Sequence, residues 1–198
     1  MDARWTDFVL LRCITPDAGK LAGAARAWCA QAGMTLHRLA RQQDSGITFL
    51  YGRLPQRGAL AAEFCERLAA HWREAVPQAR DVRVSRLERV FDAPGRSRGE
   101  RAAFHYVVQM DPQAGWMDEI SRWYDDEHMP GLAGVPGTVH AMRLLDADHG
   151  PLSLACYDLV TEDTLGSLPW LAVRGTPWSD MVRPKFTNTR RTMMEVLA

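Results

Sequence analysis

Apolar positions along the chain switch between two spacings, and the switching occurs twice in the same order. Phe8–Ile14 is a largely apolar run of strand length, and Lys20–Ala32 is an alanine-rich helix. Thr35–Gln42 and Ile47–Leu54 read as a hairpin through Asp44-Ser45-Gly46. Ala59–Ala75 carries Leu60, Phe64, Leu68 and Trp72 at helical spacing, and Val82–Phe91 closes this half as a strand. Asp92–Arg101, rich in Gly, Pro, Arg and Ser, reads as a connection. The order then recurs. Phe104–Met110 is a strand, Trp116–His128 a helix, and Val139–Leu145 and Leu152–Val160 a hairpin through Asp146–Pro151. A helical region spans Thr164–Leu171, with a short turn or helix near Trp178–Val182, and Phe186–Leu197 is the last strand. The chain therefore divides into repeats at 1–95 and 102–198, with 96–101 as a linker. Echoes support the duplication: Asp17-Ala18-Gly19 against Gln113-Ala114-Gly115, Thr35-Leu36-His37 against Thr138-Val139-His140, and Tyr51 against Tyr157.

The order β-α-β-β-α-β is the ferredoxin-like motif, which sets helices on one face of an antiparallel sheet. The expected class is α+β. Several strands are apolar on both faces: Phe104, Tyr106 and Val108 alternate with His105, Val107 and Gln109. Two such halves can pack sheet to sheet and close a barrel within one chain. The interval from Gly115 to Thr138 is longer by seven residues than that from Gly19 to Thr35. The extra residues fall near Glu127-His128-Met129-Pro130, so a single site, in the second half, is expected. The first half reads as a degenerate structural copy.

At about 100° per residue, Trp116, Met117, Ile120, Trp123 and Tyr124 form one apolar arc of the second-half helix. Glu127 falls in the middle of that arc and His128 at its edge. A carboxylate aimed at a core is costly unless paired or protonated. Met129 precedes a proline, which disfavours helical dihedrals, so the helix is expected to end near His128.

Composition narrows the classes. The chain has 198 residues, 46% of them hydrophobic, and 24 basic residues against 24 acidic ones. That balance points to neither nucleic acid nor an anionic membrane as a partner. Cys13, Cys29, Cys65 and Cys156 are scattered and read as reduced thiols of a cytoplasmic protein. No apolar run suggests a signal peptide or a membrane span. No H-x-x-x-H or H-E-x-x-H occurs, so no metal site is expected; glycine-rich nucleotide loops and a G-x-S-x-G elbow are also missing.

Trp123-Tyr124-x-x-Glu127-His128-x-Pro130, followed by Val135-Pro136-Gly137 and a strand, resembles the dimeric α+β barrel superfamily, and within it the EthD-like group. Thr176-Pro177-Trp178, Arg183-Pro184 and Phe186 are similar to that group as well. The resemblance implies a cofactor-independent enzyme of isomerase, cyclase or lyase type, acting on an apolar carbonyl, lactone or aromatic compound. His128 would move the proton and Glu127 would tune it or act as acid or base. Tyr124, His140, His105, Tyr157, Trp178 and Arg183 are the candidate substrate-binding residues. For each a plain alternative stands: a helix C-cap for His128, a salt bridge to Arg143 or Arg183 for Glu127, a surface ion pair for Arg183, and core packing for the others. The superfamily also contains monooxygenases and haem-binding enzymes, so an oxygenase is the rival reading, and a non-catalytic ligand-binding barrel is a third. The expected partner is a small molecule, and a homodimer stays open.

Overall fold

The structure, a computed structural model, describes residues 3–198. Eight strands and six α-helices form two compact units among the described residues. The first runs to Arg89 and takes in Asp146–His149 and Met194–Ala198; the second comprises Val90–Leu145 and Gly150–Met193.

In the first unit the order is β1 (Arg4–Ile14), α1 (Leu21–Gln31), β2 (Thr35–Arg41), β3 (Ile47–Leu60), α2 (Ala62–Ala75) and β4 (Arg80–Pro94). The strands lie antiparallel in the order β4-β1-β3-β2, the ferredoxin-like arrangement. Both helices bury one stripe. Leu21, Ala25, Trp28 and Cys29 of α1 meet Cys65, Leu68, Ala69 and Trp72 of α2. Trp28 and Trp72 pack edge to face at 6.1 Å, and the Trp28 indole donates to the Leu68 carbonyl at 2.9 Å. Asp148 also belongs to this unit, and its carboxylate accepts the Arg86 backbone N–H at 2.8 Å, Nε at 2.9 Å and Nη2 at 2.5 Å.

The second unit repeats the order with β5 (Phe104–Pro112), a helical segment, β6 (Thr138–Asp146), β7 (Ser153–Leu159), α5 (Leu168–Arg174), α6 (Pro177–Val182) and β8 (Phe186–Val196). Its strands lie β8-β5-β7-β6. Tyr106 faces Tyr157 and Val108 faces Ala155 across β5 and β7, on the helix-covered face. His105 faces Asp158 and Val107 faces Cys156, on the other face.

Three local expectations change. The segment after β4 is pinned rather than free: Arg96 N–H bonds the Ala133 carbonyl at 2.8 Å, and Ser97 N–H bonds Thr138 at 2.9 Å. Gly95 lies so close to Thr138 that a Cβ there would sit 2.1 Å from its carbonyl oxygen. The helix expected over Thr164–Leu171 instead starts at Leu168. Ser167 caps it by accepting the Trp170 N–H at 3.4 Å, and Pro169 occupies its first turn.

The third change shapes the site. The helical segment does not stop at His128. It runs as α3 (Met117–Trp123), a π-helical turn (Tyr124–His128) and α4 (Met129–Ala133). Met129 keeps helical dihedrals (φ −67°, ψ −47°), and its N–H bonds the Tyr124 carbonyl five residues back. A wider i→i+5 turn holds an extra residue and accommodates the proline that would interrupt an α-helical ladder. One row of buried positions then runs Ile120, Tyr124, His128 and Leu132, a step of four rather than 3.6, beside buried Trp123, Met129 and Ala133.

Arg86 is almost wholly buried and Asp148 mostly so. Removing one member of such a pair strands the other charge. Asp148→Ala should cost about 3 kcal/mol in urea unfolding; a loss below about 1 kcal/mol would mean water replaces the carboxylate without penalty.

Candidate functional site

A cleft opens in the second unit between its helices and its sheet. Its cavity volume is about 30 Å³, and about 380 Å³ when the open mouth is included. The sheet contributes Tyr106, Val108, Ala155 and Tyr157, the helical segment Trp123, Tyr124, His128 and Leu132, and α5 contributes Trp170. Arg174 at the end of α5, Arg183 after α6 and Arg191 on β8 complete the lining.

His128 is 8% exposed. Its ring stacks on Trp123 at 4.1 Å and meets Tyr124 edge-on at 5.7 Å. Its Nδ1 is buried without a hydrogen-bond partner, and so is the indole N–H of Trp170. Buried polar atoms are seldom left unpaired, so two orphans lining one cleft are notable. Burial, and then the charges of Arg174 and Arg183, depress the His128 pKa to about 3, which leaves a neutral imidazole at pH 7. Burial also keeps the Tyr124 and Tyr157 phenols protonated, with pKa values raised above the ordinary range. Tyr157 directs its hydroxyl to the Met129 sulfur at 3.0 Å. Among the described residues, no carboxylate pairs with Arg174, Arg183 or Arg191; the exposed Asp180 acts on Arg183 only at longer range.

The candidates named from sequence separate into two groups. His128, Tyr124, Tyr157 and Arg183 line the cleft together. Glu127, His140, His105 and Trp178 do not. The π-turn rotates Glu127 out of the apolar arc and His128 into it. Glu127 accepts a hydrogen bond from the Thr176 hydroxyl at 2.5 Å, not a salt bridge from Arg143 or Arg183. Thr176 caps α6 by accepting the Ser179 N–H at 3.1 Å, and the Ser179 hydroxyl accepts the Trp123 indole N–H at 3.3 Å. Glu127 thus braces the ring on which His128 stacks. His140 bonds Asp92 at 2.6 Å near the surface, and His105 bonds Asp158 at 2.8 Å on the sheet face opposite the cleft. Strand alternation sends both histidines away from Tyr106 and Tyr157. Trp178 donates to Glu119 at 2.9 Å outside the lining.

Arg174, Arg191, Trp170 and Tyr106 were not singled out from the sequence. The arginines come from separate elements, and nothing local marks them as convergent. Strand alternation does group Tyr106 with Val108 on one face.

A larger cleft, about 360 Å³, lies in the first unit beside Cys65, Arg86 and Asp148. Arg86 and Asp148 already satisfy each other there, and none of the orphaned atoms lines it. The smaller cleft is the better candidate because its polar groups lack partners. A haem does not fit against His128. A haem macrocycle is larger than the cleft, which encloses about 380 Å³ with its open mouth included, and the imidazole lies flat against Trp123. Among the described residues no three His, Cys, Asp or Glu side chains cluster to hold a metal ion. No helix among them is long and apolar enough to cross a membrane.

No family model and no curated protein matches the chain. Solved structures do. An anthrone oxidase-like protein superposes with a TM-score of 0.64 at 16% identity, over 98% of this chain and 92% of that one. A candidate monooxygenase of Fusobacterium nucleatum gives 0.64 at 10% identity, over 100% and 94%. Another from Lactobacillus acidophilus gives 0.60 at 11%, over 97% and 93%. These likenesses show the fold: an α+β chain of two ferredoxin-like repeats.

The buried imidazole gives a measurable pH dependence. Above about pH 6.5 His128 is neutral both folded and unfolded, and it adds no slope. As pH falls from 6.5 toward about 3, the unfolded chain takes up a proton that the folded site refuses. Stability therefore falls on acidification by about 1.4 kcal/mol per pH unit from this group, and the slope ends below the folded value. Urea unfolding at pH 7 and pH 5 should show His128→Phe losing about 2 kcal/mol less than the parent chain; equal losses would mean His128 protonates freely in the fold.

Proposed function

We propose that this chain is a cofactor-free enzyme in which neutral His128 removes a proton from a small aromatic ketone or phenol, as in isomerases, cyclases and lyases. The observation that carries this reading is an unpartnered imidazole at the base of an aromatic cleft rimmed by three unpaired guanidinium groups. The cleft is poor in water, so a base and fixed positive charges inside it act at low dielectric. Tyr106, Tyr157, Trp170 and Phe186 suit a flat ring. An arginine of the rim would hold the oxyanion as the proton leaves. Glu127 is a positioning residue, acting through Thr176, Ser179 and Trp123. The likeness of Trp123-Tyr124-x-x-Glu127-His128-x-Pro130 to the EthD-like branch agrees with a site in this half. The four buried free cysteines fit a reducing, cytoplasmic setting.

An oxygenase is the second reading, favoured by neighbours described as anthrone oxidase-like and monooxygenase. It begins with the same step. For an anthrone, His128 takes a proton from the ring methylene, and the carbanion adds dioxygen to give a peroxide. Loss of the second C–H proton then breaks the O–O bond. The carbon becomes a ketone, and the other oxygen leaves as water.

Anthrone in D₂O without oxygen tests the shared step through exchange at its methylene, and oxygen uptake tests the second. The chain should accelerate exchange above the buffer rate, and His128→Gln should lower that rate about a hundredfold or more. Unchanged exchange in a folded His128→Gln variant would remove His128 from the mechanism. Uptake of one dioxygen per anthrone would select the oxygenase.

A further inference from the structure

The charge at the cleft exceeds what the proposed reaction needs. A single developing oxyanion carries one negative charge, yet Arg174, Arg183 and Arg191 all line the same cleft. They are close enough to disfavour one another's charge, since Arg174 and Arg191 both lower the Arg183 pKa. Burial adds to that cost. Like charges gathered at a partly dry surface without counter-charges are unfavourable, and protein surfaces usually disperse or pair them. Two other arginines of this unit are paired: buried Arg143 has Asp125 beside it, and exposed Arg122 has Glu119. The three cleft arginines are not. Their walls are aromatic, and the buried Nδ1 of His128 and indole N–H of Trp170 are unsatisfied.

We propose that this cleft is a binding site for aryl carboxylates, so that the substrate enters already bearing a permanent negative charge. The proposal rests on the proton-transfer reading for its catalytic meaning and adds the substrate class. A carboxylate accepts two parallel N–H bonds from a guanidinium, and a second guanidinium can cap its remaining lone pairs. The flat ring lies in the open mouth against the aromatic wall of Tyr106, Tyr157, Trp170 and Phe186, a surface that a bare inorganic anion leaves uncovered. The third arginine remains for the charge that develops on the ring oxygen. The permanent charge has a second effect. Burial, and after it the charges of Arg174 and Arg183, keep a proton off His128. A carboxylate held between the two arginines offsets their part, so a seated carboxylate makes His128 a stronger base than it is in the empty cleft.

The test is calorimetric titration of the full chain at pH 7 with 2-naphthoate, 2-naphthalenemethanol and inorganic phosphate. 2-Naphthoate should bind one per chain, at least about tenfold more tightly than the neutral alcohol and than phosphate. The double variant Arg174→Gln/Arg183→Gln should lose that tenfold preference while its affinity for the alcohol stays unchanged. These side chains are half-exposed and unpaired, so the variant should fold; its thermal melt checks this. His128→Gln should keep 2-naphthoate binding within a few-fold. Equal binding of acid and alcohol, no binding of the acid, a preference that survives the double substitution, or phosphate binding as tightly as 2-naphthoate would each overturn the proposal. Its failure is separable from that of the proton-transfer reading. Arginine-dependent 2-naphthoate binding with full anthrone exchange in His128→Gln sinks the catalytic role alone. Lost exchange in His128→Gln with no 2-naphthoate binding sinks the carboxylate site alone.

Discussion

The second unit is organised by a buried cation. Arg143 on β6 is 1% exposed and lies on the helix-covered face of the sheet. Its Nε donates to Ser153 and its Nη2 to Ser121, each at 3.2 Å, and Nη1 stands 3.6 Å from Asp125. The guanidinium carbon lies 4.6 Å from the Tyr124 ring centre. A buried charge demands such partners, because without them its desolvation is unrecovered. Two of them, Tyr124 and Asp125, begin the π-turn, and Ser121 lies in the turn before it. Arg143 thereby fixes the phase of the helical segment over the sheet just where the ladder widens. With that phase set, His128 points inward and Glu127 does not.

From this phase the electrostatics of the cleft follow. An inward His128 is stripped of water and faces Arg174 and Arg183, so it stays neutral. The phenols beside it also stay protonated, for the same reason of burial. Every ionisable group at the base of the cleft is therefore uncharged, while the rim is cationic. That arrangement is costly in the empty protein and favourable once an anion is present. Sites accept such strain where function requires it, and the strain here is electrostatic rather than conformational.

Much of the fold was legible because it depends on periodicity. Period-two runs gave the strands, helical stripes such as Leu68 and Trp72 gave the helices, and their repeated order gave the ferredoxin-like halves. The site was legible only in part. A π-turn leaves no mark on side-chain chemistry, so a wheel drawn at 100° exchanged the roles of Glu127 and His128. Pro130 looked like a helix stop, yet the wider turn absorbed it. His140 and His105 looked like candidates because histidines are chemically conspicuous, but strand alternation alone places them opposite Tyr157 and Tyr106. Two of the three arginines went unseen for the reverse reason. Arg174 and Arg191 are ordinary surface residues in sequence, and only the packing of α5 and β8 brings them to one mouth with Arg183.

The two clefts show why volume is a poor guide to chemistry in this molecule. The larger one in the first unit carries charges as well, but its buried Arg86 pairs with Asp148, and no buried polar atom in its lining is left unsatisfied. The smaller one holds a buried acceptor, a buried donor and three cations without partners. Binding free energy comes from what a ligand improves relative to the empty site. A satisfied cleft offers a ligand mainly apolar contact, whereas an unsatisfied one offers hydrogen bonds and charge pairing whose desolvation cost the folded chain has already met. The seven additional residues of the second half, which accommodate the π-turn and α4, therefore distinguish the repeats chemically. They carry His128 and Leu132 into the cleft lining, which has no equivalent segment in the first half.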